Sequence, residues 1–267
     1  MISENLRNIL SKLPSGVQLV AVSKFHPIPA LMEAYDAGQR IFGENRPQEL
    51  AAKVPQMPAD VQWHFIGHLQ TNKLKLVLPY VTLVQSVDSL HLLEAISAWA
   101  VANNRVIDVL LELHLGAEET KHGFTEEEIL EIIGGADTPP ETSFASLRPL
   151  PPSAVPATTQ ACSPSQQPAG PSLLHGRGWP WVSGGVSAPL NGVRIRGLMG
   201  MATNTDDMAV VERDFERIEA LYNKVKAMGL PDFDQLSIGM SGDWPLAVKH
   251  GATMVRIGTD IFGEREY

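Results

Sequence analysis

Residues 17–27 read VQLVAVSKFHP, an apolar, β-branched run that ends in a serine and a lysine before Phe25-His26-Pro27. A run of that length and composition predicts a buried strand. An ammonium just past its end raises the question that decides the fold: do other strand ends gather polar groups around it? Seven further runs share its character: RIFG (40–43), QWHFI (62–66), VTLVQS (81–86), VIDVLLELH (106–114), VRIRGLM (193–199), DQLSIG (234–239) and TMVRIG (253–258). Stretches of helical period lie near 28–37, 47–54, 70–78, 89–103, 125–133, 206–228 and 243–250, and a helix near 3–13 precedes the first strand. Eight strands alternating with helices predict a single closed (β/α)8 TIM-type barrel of the α/β class. A doubly wound open sheet has the same local pattern, but the strand count favours the barrel and no GxGxxG follows the first strand.

Composition bounds the function. With 44% hydrophobic and 19% charged residues the chain can build a sizeable core. A formal net charge of −9 and no clustered basic stretch argue against a nucleic-acid partner, so a bound anion has to be held locally. The lone Cys162 forms no internal disulfide, MISENLRNIL lacks the pattern of a secretory leader, and no run reaches the length of a membrane span. A cytoplasmic protein with no membrane contact is expected.

One region interrupts the rhythm. Residues 134–190 hold 11 of the 20 prolines and no acidic residue after Glu141. A Pro/Ser/Ala/Gly composition of this kind cannot form a packed core and reads as a disordered insertion in one barrel domain spanning 1–267. It follows a helix and precedes a strand, so it leaves from the face opposite the functional rim; Trp179-Pro180-Trp181 within it could serve as a docking segment.

In a barrel the functional groups stand at the C-terminal strand ends. Those ends carry Lys24, Glu44-Asn45, Gly67-His68, Ser86-Asp88, His114, Met199-Gly200, Gly239-Met240-Ser241 and Gly258-Thr259. Exposed N–H groups at Gly258 and Thr259, the Thr259 hydroxyl, and Ser241 near the start of the next helix form a plausible phosphate cradle, and closure places the first strand beside the eighth. A lysine next to such a cradle suits a phosphorylated aldehyde, which the Lys24 amine could capture as a Schiff base. Arg256 shares the parity of Gly258 and either reaches the ring of an aromatic cofactor or pairs with a carboxylate inside the barrel. A guanidinium beside a pyridine nitrogen would leave that ring largely unprotonated and a poorer electron sink. His64 and His68 are four apart, but they lie on a strand and its loop with no acidic ligand nearby, so no metal is expected and His64 reads as a barrel-interior residue. Thr125 and Glu128 match a helix capping box.

The segments AVSK (21–24), FGEN (42–45), WHFIGHLQTNK (63–73), ETKHGF (119–124), RGLMGMA (196–202), LSIGMSGD (236–243) and TMVRIGTDIFGERE (253–266), in that order, resemble the pyridoxal phosphate homeostasis protein family. The resemblance covers nearly the whole chain outside 134–190. It implies a barrel like the N-terminal domain of alanine racemase, a fold type III pyridoxal 5′-phosphate (PLP) protein, with PLP bound as an internal aldimine on Lys24. It further implies Asn45 near the cofactor ring, Ser241, Gly258 and Thr259 on the phosphate, and Arg256 by the pyridine nitrogen. Proteins of this family are regarded as carriers or regulators of PLP supply without established turnover, which makes apo PLP-dependent enzymes the candidate partners. Two departures stand out: Arg46-Pro47 after FGEN, and the length of the 134–190 insertion.

Three functions compete. A non-catalytic PLP carrier needs the lysine, the cradle and an accessible face. A racemase-like PLP enzyme needs a second acid/base group, which alanine racemase-like enzymes take as a tyrosine from a further domain and a partner subunit; here the sequence stops at Tyr267, which favours the carrier and a monomer. A Schiff-base aldolase on the same barrel would attack a sugar phosphate directly with Lys24.

Overall fold

The computed structural model of the chain describes residues 1–116, 122–135 and 190–264. Helix α1 (Ile2–Leu10) precedes β1 (Gln18–Val22), and α2 (Ile28–Asp36), β2 (Ile41–Glu44), α3 (Pro47–Lys53), β3 (Gln62–Phe65), α4 (Leu74–Val77) and β4 (Val81–Val87) follow. The chain continues through α5 (Leu90–Ala102), β5 (Ile107–Leu113), α6 (Glu126–Gly135), β6 (Val193–Gly200), α7 (Met208–Ala227), β7 (Gln235–Ser237), α8 (Trp244–Lys249), β8 (Met254–Ile257) and α9 (Thr259–Phe262). The eight strands run in sequence order around one closed, fully parallel barrel. Closure is made by β8 on β1, with Val20 opposite Arg256 and Ala21 opposite Ile257.

Local chemistry explains where the helices begin. Pro47 opens α3, where its missing N–H costs nothing. The Ser89 hydroxyl accepts the Leu92 N–H at α5 (3.3 Å), and Asp207 Oδ1 accepts the Ala209 N–H at α7 (3.0 Å). The expected capping box forms at α6: the Thr125 N–H donates to Glu128 Oε2 (2.8 Å) and the Glu128 N–H to Thr125 Oγ1 (3.2 Å).

Side-chain alternation sorts each strand into two cores. Leu19, Ala21, Phe42, Phe65, Val255 and Ile257 face the helices with Leu31, Leu50 and Phe215, while Val20, Leu83, Leu110, Met199 and Met254 form a small cluster inside the barrel. Lys24 keeps the parity of Val20, and Arg256 and Gly258 keep that of Met254, so alternation aims these three positions at the barrel axis and its mouth.

Differences from the sequence reading are local. All eight strands appear, with ends shifted by one or two residues; β7 stops at Ser237 because Gly239 turns at φ 94°. The helix expected at 70–78 is a 3-10 turn over Thr71–Lys73 followed by α4. Helix α9 was not expected, since four residues carry no periodicity; Asn5 Nδ2 donates to Ile261 O (3.1 Å) and ties it to α1. The 134–190 insertion, with Cys162 and Trp179-Pro180-Trp181, lies almost entirely outside the described residues. Its described flanks, the end of α6 and the start of β6, are on the N-terminal strand face, away from the rim that carries Lys24. Beside β6 on that face Arg194 and Arg196 pair with Asp108 (2.7 and 3.1 Å), and Arg196 also with Asp234 (2.8 Å). Among the described residues no helix is long and apolar enough to cross a membrane.

Phe65 is fully buried between the strands and the helices. Phe65→Ala should lower stability by about 3–5 kcal/mol, seen as a lower urea midpoint with an unchanged m-value.

Candidate functional site

Lys24 follows a strand end that is held from several sides. Phe25, the next residue, sits at φ 67°, a left-handed conformation that a bulky residue rarely adopts. Its N–H donates to Glu49 Oε2 (2.9 Å). On the other side of Lys24, the buried Ser23 hydroxyl donates to Glu44 Oε1 (2.6 Å). Lys53 joins both ends of this turn: its ammonium donates to Ser23 O (2.9 Å), Glu44 Oε1 (2.8 Å) and Glu49 Oε2 (3.1 Å). Desolvation pushes the Glu44 carboxyl up against the pull of Lys53, whereas Glu49, also partly desolvated, is held below its ordinary range by the Phe25 N–H and Lys53. Arg46 lays its guanidinium over the Phe25 ring (4.3 Å) and pairs with Glu49 (3.7 Å). His26 stacks on Phe262 of α9 (4.6 Å), which connects the Lys24 turn to the last loop.

The loop after β8 meets the end of β1. A Cβ at Gly258 would stand 3.3 Å from both the Val22 Cβ and the Val22 carbonyl, so the glycine turn lies directly on the end of the strand that delivers Lys24. Gly258 caps α9 and Thr259 begins it; neither N–H has a backbone acceptor among the described residues. Gly239 is required twice over, because φ is 94° and a Cβ would stand 2.6 Å from that of Ala247. The Arg256 N–H donates to Gly239 O (2.9 Å) and joins the two loops. Ser241 lies in the turn before α8, whose cap is Asp243; Asp243 Oδ1 accepts the Met240 N–H (2.5 Å), so Ser241 stands ahead of the helix start and does not cap it.

The Arg256 side chain is 4% exposed inside the barrel. It donates to Ser237 O and Oγ (2.7 Å each) and to Gly200 O (2.8 Å), which uses three of its five donors. Its partners are carbonyls and a hydroxyl and it makes no ion pair among the described residues, so the carboxylate pair that the sequence allowed does not form. Burial works against its charge, while Glu112 and Asp243 favour it. Asn45 stands at the end of β2 with its backbone against Gly67, where a Cβ would come within 2.7 Å of the Asn45 Cα. Its Oδ1 is buried with no partner among the described residues, so an acceptor is available on this side.

Sequence reasoning missed the groups that tune this centre. Glu112, 6% exposed on β5, has the parity of the interior residue Leu110; burial, aided by the Asp88 charge and opposed by Arg256, pushes its carboxyl up to about 7. Only its parity could have flagged it. Glu49 and Lys53 are an i,i+4 pair on α3, but nothing local joins them to Glu44 on β2. His64 is the interior residue expected: it contacts Gln85 Nε2 (2.9 Å), and burial lowers its pKa to about 3. His68 differs from expectation, because the acidic neighbour absent from its own segment is Asp88, 2.7 Å away from the end of β4.

Two substitutions test this arrangement. Glu112 has a folded pKa above its unfolded one, so its contribution to stability is complete below about pH 4.5 and is lost as pH rises through about 7. Glu112→Gln should therefore add about 2–3 kcal/mol at pH 8 and nothing at pH 4, as measured by urea unfolding at both values. Lys53→Met leaves the Glu44 carboxyl buried without its cation and should cost about 3–5 kcal/mol at pH 7.

The profile of the family described as "Alanine racemase, N-terminal domain" matches residues 1–148 and 186–266. The pyridoxal phosphate homeostasis protein of Schizosaccharomyces pombe (strain 972) is 32% identical, spanning 98% of this chain and 87% of its own length. That of Haemophilus influenzae is 31% identical, spanning 94% and 86%. Among solved structures, PipY of Synechococcus elongatus PCC7942 without PLP superposes with a TM-score of 0.74 at 31% identity, covering 98% of this chain and all of PipY. The PipY structure with PLP bound gives 0.70 at 30% identity. Alanine racemase from Streptomyces coelicolor is alike in fold alone, with a TM-score of 0.61 at 17% identity over 98% of this chain and 57% of the racemase. A closed barrel with its lysine turn, glycine loops and interior arginine, matched nearly end to end by these relatives, places the chain in the pyridoxal phosphate homeostasis protein family, within the alanine racemase N-terminal-domain fold.

Proposed function

We propose that this protein binds PLP as a Schiff base on Lys24 and acts as a non-catalytic carrier or regulator of intracellular PLP supply. The observation that carries the reading is the contact of Gly258 with Val22, which sets a side-chain-free turn against the strand that presents the lysine. Its residues suit the cofactor. Gly258 and Thr259 offer N–H groups, Thr259 and Ser241 offer hydroxyls for the phosphate, and the buried Asn45 acceptor would stand by the ring. Arg256 retains two donors beyond those given to Ser237 and Gly200, and a guanidinium can donate to a pyridine nitrogen but not protonate it. When bound, PLP supplies a reactive aldehyde and an electron-withdrawing ring; beside Arg256 that ring is a weak sink, which suits holding over turnover. Relatives named for PLP homeostasis and the PLP-bound PipY support the same reading.

The chain's own groups do the holding. Lys53, Glu44 and Glu49 fix the turn from which the Lys24 amine projects, and the apolar interior cluster closes the barrel beneath it. The reading takes the chain as one barrel domain working as a cytoplasmic monomer that passes PLP to apoenzymes. A racemase needs a second acid/base group facing the lysine. Among the described residues the tyrosines are Tyr35 on α2, Tyr80 before β4 and Tyr222 on α7, all away from the C-terminal strand ends.

Protein incubated with PLP and desalted should be yellow, and borohydride should fix one cofactor on Lys24 by mass spectrometry. Lys24→Ala should lose both signals. A colourless protein that instead condenses with sugar phosphates would favour the aldolase, and sustained exchange of the α-proton of L-alanine with solvent at enzymatic rates would sink the carrier reading.

A further inference from the structure

Three loops of the rim bring two imidazoles and a carboxylate together. His68 follows β3, Asp88 follows β4, and His122 lies between β5 and α6. His68 Nδ1 is 2.7 Å from Asp88 Oδ2. The His68 and His122 rings stack with centroids 4.4 Å apart and planes 19° apart. One ligating atom from each of the three residues lies within 4.8 Å of the other two. Residues 20 and 34 positions apart in sequence do not converge through local chain geometry; the barrel's loop order brings them to one spot.

We propose that His68, Asp88 and His122 form a binding site for a divalent transition-metal ion of the zinc class, with the remaining coordination positions open to solvent. The donor set selects this class. Two imidazole nitrogens with one carboxylate oxygen suit Zn²⁺, Co²⁺ or Ni²⁺, whereas Mg²⁺ and Ca²⁺ take oxygen ligands. A neutral imidazole ligates through one ring nitrogen while the other carries the proton. The carboxylate is anchored: its side chain is 6% exposed, and Oδ1 accepts the Ser89 hydroxyl (3.2 Å). His68 is 48% exposed, which leaves a path for the ion and for water. The ion takes the place of the proton between His68 Nδ1 and Asp88 Oδ2. With metal–ligand bonds of about 2.0–2.2 Å meeting near the tetrahedral angle, that pair has to open to about 3.4 Å while the His122 ring tilts toward it. On binding, the neutral His68 ring loses the proton at Nδ1 and takes one up at Nε2, and the two imidazoles and the carboxylate each donate a lone pair.

The test is a calorimetric titration of the full-length protein with Zn²⁺, paired with Co²⁺ titration followed through its visible d–d bands. One saturating equivalent is expected. Asp88→Asn, which keeps the shape of the side chain, and His122→Ala, at an exposed position, should each weaken binding by more than about 100-fold, beyond what loss of an outer-shell partner costs. His250→Ala should leave it unchanged, because His250 pairs with Glu219 (2.8 Å) elsewhere on the barrel. Lys24→Ala, freed of PLP, should bind the metal as the parent does, so that failure of PLP binding and failure of metal binding are read separately. No saturable binding by the parent, or binding that Asp88→Asn and His122→Ala leave intact, overturns the proposal.

Discussion

The pairing of β8 with β1 is the constraint on which the rest of this molecule depends. An open sheet built from the same segments would leave Lys24 on one edge and Gly258 on the other. Placing Val20 opposite Arg256 removes both edges and sets the last glycine turn on the end of the first strand. The same pairing brings Arg256 into the interior beside Ser237, where it joins the β7 and β8 loops through both its backbone and its guanidinium. Helix α9, only four residues long, follows at once and docks on α1, so the two chain ends brace the closure from outside.

A second layer of organisation is electrostatic. Around Lys24 the structure accepts an unfavourable conformation at Phe25 and the burial of Glu44, and it offsets both with one ammonium, Lys53, that reaches three acceptors. Lys53 thereby ties the residues on both sides of Lys24 to β2 and α3. Arg46 belongs to the same device. It covers the Phe25 ring and pairs with Glu49, reinforcing the turn from the solvent side. Deeper in the barrel Glu112 and Arg256 share the interior, where burial drives the carboxyl toward neutrality while the guanidinium pulls the other way.

Much of this was legible before folding. The eight strands follow from β-branched runs and the helices between them from periodicity, because the backbone's two repeats, two residues and 3.6, leave their mark on any half-buried segment. The capping box at Thr125 and Glu128 was readable for the same reason, since both partners lie within one helical turn. The candidates Lys24, Asn45, Ser241, Gly258 and Thr259 follow from the rule that barrels put their chemistry at the C-terminal strand ends, and Arg256 follows from strand parity. Helix α9 escaped because four residues show no period.

What the sequence alone determined, then, is the repeating unit, its number, and which residues end each strand. These are properties of neighbours along the chain. Only the tertiary structure decided which strand ends touch: that Lys53 reaches across to Ser23, that Arg256 serves Ser237 and Gly200 and has no carboxylate partner among the described residues, and that Asp88 and His122 meet His68. Those contacts join residues tens of positions apart, and their geometry is set by barrel closure and strand register, which no local pattern encodes.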